Sequence, residues 1–340
     1  MFMSANKYKN SQLCNAKVSK NNEFYTQLSD IEKELTNYKD FFADKVVYCN
    51  CDDARHSNFV KYFLQNFKEL KLKKLISSGY KENGKGILFI YDGDDHQIDD
   101  ISITEMNGDG DFRSEECISI LESADVVVTN PPFSHFREYI TQLIKYNKNF
   151  IVIGNGNAIT YKEIFPYIKN DKIWLGNKSF SRGMDFILGD NFEESKCKYP
   201  KKEKDSIIVN IAMCIWFTNV PHDKRNTPIK LSKKYNERDY PKYDNYDAIN
   251  ISRVKDIPED YEGVMGVPIT FLDKYCPSQF EIIGGFNGYK KCDYENALIC
   301  GSHTEYIDKK GNIRIWNGPI VNKKTTYYRI LIKKRKINKC

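Results

Sequence analysis

The chain lacks a long hydrophobic run. Its longest apolar stretch, Ile207 to Val220, is interrupted by Asn210 and stops at Pro221, short of the roughly 20 apolar residues that a membrane-spanning helix needs. No membrane partner is therefore expected. The start is also poor in apolar residues. Residues 1–22 are polar and carry Lys7, Lys9, Lys17 and Lys20, without the apolar core of a secretory signal. They are expected to form a basic flexible arm on a cytoplasmic protein. Ten cysteines are present, but no C-x-x-C pair occurs, and the five histidines never fall at ligand spacing. That pattern excludes the common structural zinc sites and points to reduced thiols and no metal. Cys49 and Cys51 alternate within an apolar strand, where free cysteine is a common small buried residue. Internal repeats and low-complexity blocks are absent as well.

What is present fits a soluble globular chain: 340 residues, 41% hydrophobic and 29% charged, enough for a catalytic domain with a smaller companion. The net charge is +6, and the cations are clustered at Lys196–Lys204, Lys224–Lys234 and Lys333–Lys339. Such clusters suit a phosphate-rich partner. Solvated surface charge explains them equally well. Tyr235, Tyr240, Tyr243 and Tyr246 lie among them, a mixture compatible with nucleic-acid contact.

From about Asp30 to Thr218, short apolar runs alternate with amphipathic stretches, the pattern of a mainly parallel sheet with crossover helices. Strands are predicted at Lys45–Cys51, Lys74–Ser78, Asp125–Thr129, Phe150–Gly154, Lys172–Leu175 and Ser206–Phe217. Helices are predicted at Ser57–Leu70, with Ser57 as N-cap, and at Phe136–Tyr146 and Tyr161–Lys169. Beyond Pro221 the chain is rich in Lys, Tyr, Asn, Asp and Pro, with short β-type runs at Phe280–Ile283 and Tyr327–Ile332. The expected organisation is a doubly wound, mostly parallel α/β domain over residues 23–220 and a mixed or β-rich region over 221–340.

The strongest chemical signal is Asp125-Val-Val-Val-Thr-Asn130-Pro131-Pro132-Phe133. A buried strand runs straight into a polar residue, two prolines and an aromatic. In open α/β sheets ligands bind at the carboxyl ends of strands, and proline leaves its carbonyl available while removing a donor. Asn130 and Pro131 thus offer two acceptors for the hydrogens of a target amine, which aims its lone pair at an electrophile. Phe133 offers a face for an extruded base. A tight turn after a core strand, with Phe133 merely packed, is the structural alternative; the preceding buried strand and the following aromatic weigh against it.

This block resembles the catalytic motif of amino-group methyltransferases that use S-adenosylmethionine. Further ordered blocks narrow the resemblance: Glu23-Phe24-Tyr25-Thr26-Gln27, Val47–Asp53 and Gly108–Arg113 before the turn, then Ile153–Asn155, Asn157–Glu163 and Lys172–Gly176 after it. Together they resemble the EcoRI-type adenine-specific DNA methyltransferase family over about Asn22 to Lys333. The resemblance implies a Rossmann-like methyltransferase fold, S-adenosylmethionine as cofactor and methylation of adenine N6 in double-stranded DNA. The protein would be the modification half of a restriction system, with a cognate endonuclease sharing its target site, or an orphan enzyme. It also implies roles by position. Asn130, Pro131, Pro132 and Phe133 would be catalytic. Phe24, Tyr25 and Thr26 would lie against the methionine part of the cofactor, Asp52 would meet its ammonium group, and Asp111 with Phe112 would hold its adenine. Residues 221–340 would recognise the DNA target.

Two departures from the usual pattern stand out. The loop Cys51–Ser57 has no glycine, and the strand Lys74–Ser78 lacks a terminal acid for ribose hydroxyls, Glu82 being the nearest. A structural role as helix-cap or turn acids is the lesser alternative for Asp52 and Asp111. Two acidic patterns are decoys. Asn107-x-Asp109-x-Asp111 begins like a calcium loop, but Phe112 replaces its glycine and Ile118 its bidentate Glu. The run Asp92–Asp95 with Asp99 and Asp100 reads as a solvated loop. The reading that follows is direct attack by N6 after base flipping, without metal, by a monomer that contains every part. Cytosine N4, RNA adenine or a protein glutamine would suit the same turn, and a non-catalytic DNA-binding relative is the reading from a different class.

Overall fold

The strands that carry the site follow one another early in the chain: β1 (Phe24–Thr26), β2 (Val46–Cys49), β3 (Lys74–Gly79), β4 (Ile87–Tyr91), β5 (Ile103–Glu105), β6 (Val126–Thr129) and β7 (Asn149–Asn155). The computed structural model describes residues 24–93, 103–180, 183–188, 201–203, 206–288, 293 and 297–336. The N-terminal arm 1–22, the acidic residues from Asp94 to Asp100 and most of the basic cluster Lys196–Lys204 lie outside the described residues. After β8 (Trp174–Leu175) come β9 (Met184–Leu188), β10 (Lys201–Glu203), β11 (Ser206–Ile211) and β12 (Cys214–Thr218). The chain divides into two units, 1–156 with 178–220, and 157–177 with 221–340. Residues 157–177, inside the range expected for the catalytic domain, group with the second unit.

In the first unit the main sheet runs β5-β4-β3-β2-β6-β7-β12. Its centre, β3-β2-β6-β7, is parallel. β4, β5 and β12 pair antiparallel at the flanks. The sheet is therefore mixed rather than mostly parallel. The reason lies in the links: residues 80–86 join β3 to β4, too few for the dozen or more that a parallel crossover needs. Strand order reverses at β2, with β3 on one side and β6 on the other.

Every residue of β6 is buried, as expected for a strand covered on both faces. Helix α1 (Leu28–Leu35) and helix α2 (Asn58–Gln65) contribute Ile31, Leu35, Phe59, Val60 and Phe63 to the same core. Ser57 caps α2 as expected, its hydroxyl accepting from the N–H groups of Phe59 and Val60. Helix α3 (Glu115–Ser123) precedes β6, and helix α4 (Phe136–Lys145) follows the turn. In α4, Phe136, Tyr139, Ile140 and Leu143 are buried at i, i+3, i+4 and i+7, a stripe that fixes which face meets the sheet. The run Ser206–Phe217, expected as one strand, is two strands in different sheets. Met213 takes a left-handed conformation at φ 62°, and the chain turns there. Before it, β11 joins the antiparallel sheet β1-β9-β11-β10; after it, β12 pairs with β7.

The second unit contains β13 (Ile249–Asn250), β14 (Met265–Val267), β15 (Phe280–Phe286), β16 (Leu298–Ile299) and β21 (Arg329–Lys334), in sheet order β13-β14-β21-β15-β16. Between β16 and β21 lie two hairpins, β17 (Thr304–Ile307) with β18 (Ile313–Trp316) and β19 (Ile320–Val321) with β20 (Lys324–Thr325). Helix α5 begins at Phe165, not Tyr161 as expected, with Pro166 in its first turn, where a missing N–H costs nothing. Residues 157–177 are tied in by charged and aromatic contacts. Arg225 stacks 3.9 Å over Trp174 and pairs with Asp171 at 2.9 Å. His222 Nε2 lies 2.9 Å from the Leu175 carbonyl oxygen.

Cys49, Cys51, Cys117, Cys214 and Cys276 are free. Cys300 is disulfide-bonded, which corrects the expectation of reduced thiols throughout. Spacing rules judge neighbours along the chain, whereas folding decides which thiols meet.

Candidate active site

The site is assembled where the strand order reverses. β2 and β6 are parallel neighbours, with Val47 opposite Val126 and Tyr48 opposite Val127. Their carboxyl ends therefore lie side by side, and each continues into a distinctive sequence block: Asp52 after β2, Asn130 after β6. The two ends are bonded to each other. The Thr129 hydroxyl donates to Asp52 Oδ2, and the Ser57 hydroxyl donates to Asp52 Oδ1 at 2.7 Å. The backbone joins in. Asp52 N–H donates to the Ser78 carbonyl at 3.0 Å, and the Ser77 hydroxyl donates to the Asp52 carbonyl. A carboxylate offers about four lone-pair sites. The two hydroxyls bind one oxygen each and so fix the orientation of the carboxylate.

Tyr25 and Thr26 belong to β1, antiparallel to β9, yet they meet the same loop. Asn58 Nδ2 donates to the Thr26 carbonyl at 2.8 Å, and the Tyr25 ring lies 6.3 Å from that of His56. Thr26 is 3% exposed, and its hydroxyl has no hydrogen-bond partner among the described residues. Buried polar atoms left like this are few in folded proteins. Phe24 is placed by its backbone in β1, opposite Leu188.

Asp111 and Phe112 arrive from the loop before α3. Arg113 holds Asp111 through Nε at 2.8 Å and a second nitrogen at 2.6 Å. These bonds, with burial opposing them, keep the Asp111 carboxyl below its ordinary range. Phe112 is buried, its ring edge-on to Tyr139 with centroids 5.1 Å apart. The Tyr139 hydroxyl donates to Asn50 Oδ1, and Gln142 Nε2 donates to the Phe112 carbonyl at 3.1 Å. Helix α4, which leaves the Asn130–Phe133 turn, thus grips both the loop after β2 and the Phe112 loop.

The glycine missing from the loop after β2 has a counterpart one strand away. Gly110 has φ +79°, and a Cβ there would fall 2.5 Å from the Gly79 carbonyl oxygen. Only glycine meets both demands. Lys81 N–H donates to the Asp109 carbonyl at 2.9 Å and Gly86 N–H to the Gly108 carbonyl at 2.8 Å. The 108–110 segment, directly ahead of Asp111, is thereby pressed onto the end of β3. Asp109 of the calcium-like pattern is spent locally, its Oδ1 accepting from Asp111 N–H, and nearby Glu116 accepts from Asn107 and Gly108 N–H. Among the described residues, no group of three or more acidic, His or Cys side chains could hold a metal ion.

In the turn itself Asn130 and Phe133 are half-buried, Pro131 is buried and Pro132 exposed. Phe133 packs at the margin of the core and opens a short 3-10 turn, where the His135 N–H bonds the Pro132 carbonyl at 3.0 Å. Asn130 Oδ1 is turned away from solvent; a half-turn of the amide exchanges oxygen and nitrogen. Thr129, Asn50, Ser77, Tyr139 and Gln142 were not foreseen as site residues. Thr129 had a visible signal, since it immediately precedes Asn130. The others are supplied by elements remote in sequence.

A carboxylate and an amide-proline turn thus stand at adjoining strand ends on a reversal point. The chain belongs to the family described as adenine-specific methyltransferase EcoRI, whose model matches residues 12–335. It is 46% identical to the Type II methyltransferase M.EcoRI of Escherichia coli, covering 97% of this chain and 98% of that protein. It is 38% identical to the Type II methyltransferase M.MgeORF184P of Mycoplasma genitalium, over 95% and 98% of the two chains. With the Type II methyltransferase M.MpnI of Mycoplasma pneumoniae the identity is 36%, over 94% and 97%. No solved structure matches the chain.

Proposed function

We propose that this protein transfers a methyl group from S-adenosylmethionine to N6 of adenine in double-stranded DNA, as the modification enzyme of a restriction system or as an orphan. The observation that carries the reading is the hydroxyl–carboxylate bond from Thr129 to Asp52. It joins the strand end that leads into Asn130-Pro131-Pro132-Phe133 to the strand end expected to meet the cofactor. The family's description names adenine, and all three relatives are called Type II methyltransferases.

The residues present suit the cofactor. The oriented Asp52 carboxylate can take an ammonium group, the buried Thr26 hydroxyl lacks a partner that a polar ligand would supply, and Phe112 and Asp111 stand as an aromatic–acid pair for a purine. Phe24 and Tyr25 precede Thr26 in β1. When bound, the cofactor supplies an electrophilic methyl on a sulfonium. Asn130 and Pro131 accept the two amine hydrogens through side-chain and backbone oxygens. Their hold draws N6 toward tetrahedral geometry and strengthens as positive charge develops on nitrogen, favouring the transition state over the ground state. Phe133 stacks on the target base. Inside the duplex, N6 is out of reach, so the base must be flipped out. Positioning carries the catalysis, and no covalent enzyme intermediate forms. Double-stranded DNA is the partner, met by a monomer.

The test is transfer of labelled methyl to duplex DNA in excess EDTA, followed by mass identification of the modified nucleoside. N6-methyladenine is the expected product. N4-methylcytosine, or label in RNA or protein, would overturn the substrate assignment, and rescue by magnesium alone would overturn metal-free transfer.

A further inference from the structure

We propose that the β17–β18 hairpin is the arm that enters the major groove of the duplex. This rests on the reading of double-stranded DNA as substrate and names the element that docks it. Ile307 pairs with Ile313 across the hairpin, and Glu305 with Ile315. These four therefore share one face, because alternate residues of a strand point the same way. All are exposed, with Ile307 53% and Ile313 and Ile315 each 66% exposed. The isoleucines are three of the six large hydrophobics that stand exposed among the described residues. An apolar β face left open invites aggregation unless something covers it.

The opposite face is anchored. It carries Tyr306 and Trp316, both half-buried. Trp316 lies so close to Gly288 and Gly318 that a Cβ on either would fall within 2.1 Å of its ring. The hairpin is thus fastened on one side, and its isoleucines face outward. Its tip is built, too. Asp308 Oδ1 accepts from the N–H groups of Lys310 and Asn312 at 2.8 and 2.9 Å, and Asp308 Oδ2 pairs with Arg314 Nε at 3.3 Å. Gly311 completes the turn at φ +81° with open space around it.

Charge selects the occupant. Lys309 and Lys310 project at the tip, and the neighbouring turn brings Lys323 and Lys324. The Ile307 N–H donates to the Lys323 carbonyl at 3.2 Å, which sets that turn beside the apolar face. All four lysines are exposed. Asp308 is occupied by the turn, which leaves Glu305 as the only acid on the apolar face. A partner that is anionic along its edges and apolar between them fits this surface. The major groove is about 12 Å wide, admits a two-stranded ribbon, is walled by phosphates and exposes thymine methyl groups between them. Ile313 and Ile315 face those methyls and base edges, while the lysines take the phosphates.

The experiment uses the full chain and a 25-base-pair mixed-sequence duplex, with anisotropy titrations across a salt series. Lys309→Ala/Lys310→Ala should bind about tenfold more weakly and flatten the salt slope by about 0.9 for each phosphate no longer neutralised. Ile313→Ser/Ile315→Ser should keep the salt slope but scatter or abolish the pattern of methylated positions along a plasmid. Replacing thymine by uracil in the plasmid should disturb that pattern for the wild type and leave the serine variant unmoved. S-adenosylhomocysteine binding should stay unchanged in every variant, which shows that the fold is intact. If the wild type binds duplex and both variants bind and modify like it, the arm is overturned while the substrate stands. If the wild type binds S-adenosylhomocysteine but no duplex, the substrate reading fails and takes the arm with it. If the serine variant instead converts a dimer into a monomer, the face belongs to a second copy and the proposal is overturned.

Discussion

The strand ends at Asp52 and Asn130 and the hairpin around Ile313 handle polarity in opposite ways. At the strand ends, polar groups are drawn inward and committed to one another: Ser57 and Thr129 to the Asp52 carboxylate, Tyr139 to Asn50, Arg113 to Asp111. In the hairpin, apolar groups stand outward and four lysines are held at the surface. The first arrangement fixes atoms to within a hydrogen bond, as positioning chemistry requires. The second leaves its free energy to be gained on contact with a partner. A region that positions atoms ties its polar groups together within the chain; a region that docks keeps apolar surface exposed.

The contrast predicts steep losses from small changes at the strand ends. Asn130→Ala should lower single-turnover methyl transfer by roughly 100-fold or more, the scale of losing one preorganised polar partner. Cofactor affinity, followed by titration, should barely move. Asn130→Asp should be milder because a carboxylate still accepts the bond. Near-normal turnover by Asn130→Ala would make the turn purely structural.

Phe133 stands between the two styles, half-buried at the core margin. Phe133→Ala should cost on the order of 1–3 kcal/mol in transition-state stabilisation, the worth of stacking one base, while Phe133→Tyr should keep most of the rate. Equal kcat/KM for the two variants would remove the stacking role.

Thr129→Val keeps the buried shape but removes the hydroxyl that orients Asp52. A hydrogen bond to a charged group contributes about 1.5–3 kcal/mol. S-adenosylhomocysteine should therefore bind about tenfold more weakly by calorimetry, with the rate at saturating cofactor nearly retained. Unchanged affinity would dissociate Asp52 from cofactor binding.

The smallest effect is expected in the second unit. Burial holds the His222 imidazole below its ordinary 6.5, helped by Lys224 and Arg225 and opposed by its bond to the Leu175 carbonyl. His222 is then neutral in the fold, and the unfolded chain takes up the proton first. The stability it supports is complete above about 6.5 and declines as pH falls further below that value. Urea midpoints measured at pH 7.5 and 5.5 should drop more for the wild type than for His222→Gln. An equal drop would locate the pH dependence elsewhere.

Local chemistry was enough for much of the site. A four-residue buried strand followed by Asn-Pro-Pro-Phe declares itself because valines and prolines restrict the backbone wherever they occur, and the helix stripe through Phe136, Tyr139, Ile140 and Leu143 follows from a period of 3.6. Ser57 was legible as a cap for the same local reason. Tertiary structure decided what no window along the chain contains. It set Thr129 against Asp52, 77 residues apart, and Tyr139 against Asn50, 89 apart. It split the expected strand Ser206–Phe217 at Met213 between two sheets. It made the flanks of the main sheet antiparallel, and it left Ile313 and Ile315 outside. Dihedral preference and side-chain periodicity are local. Which strand lies beside which, and which face is finally covered, depends on burial summed over the whole chain.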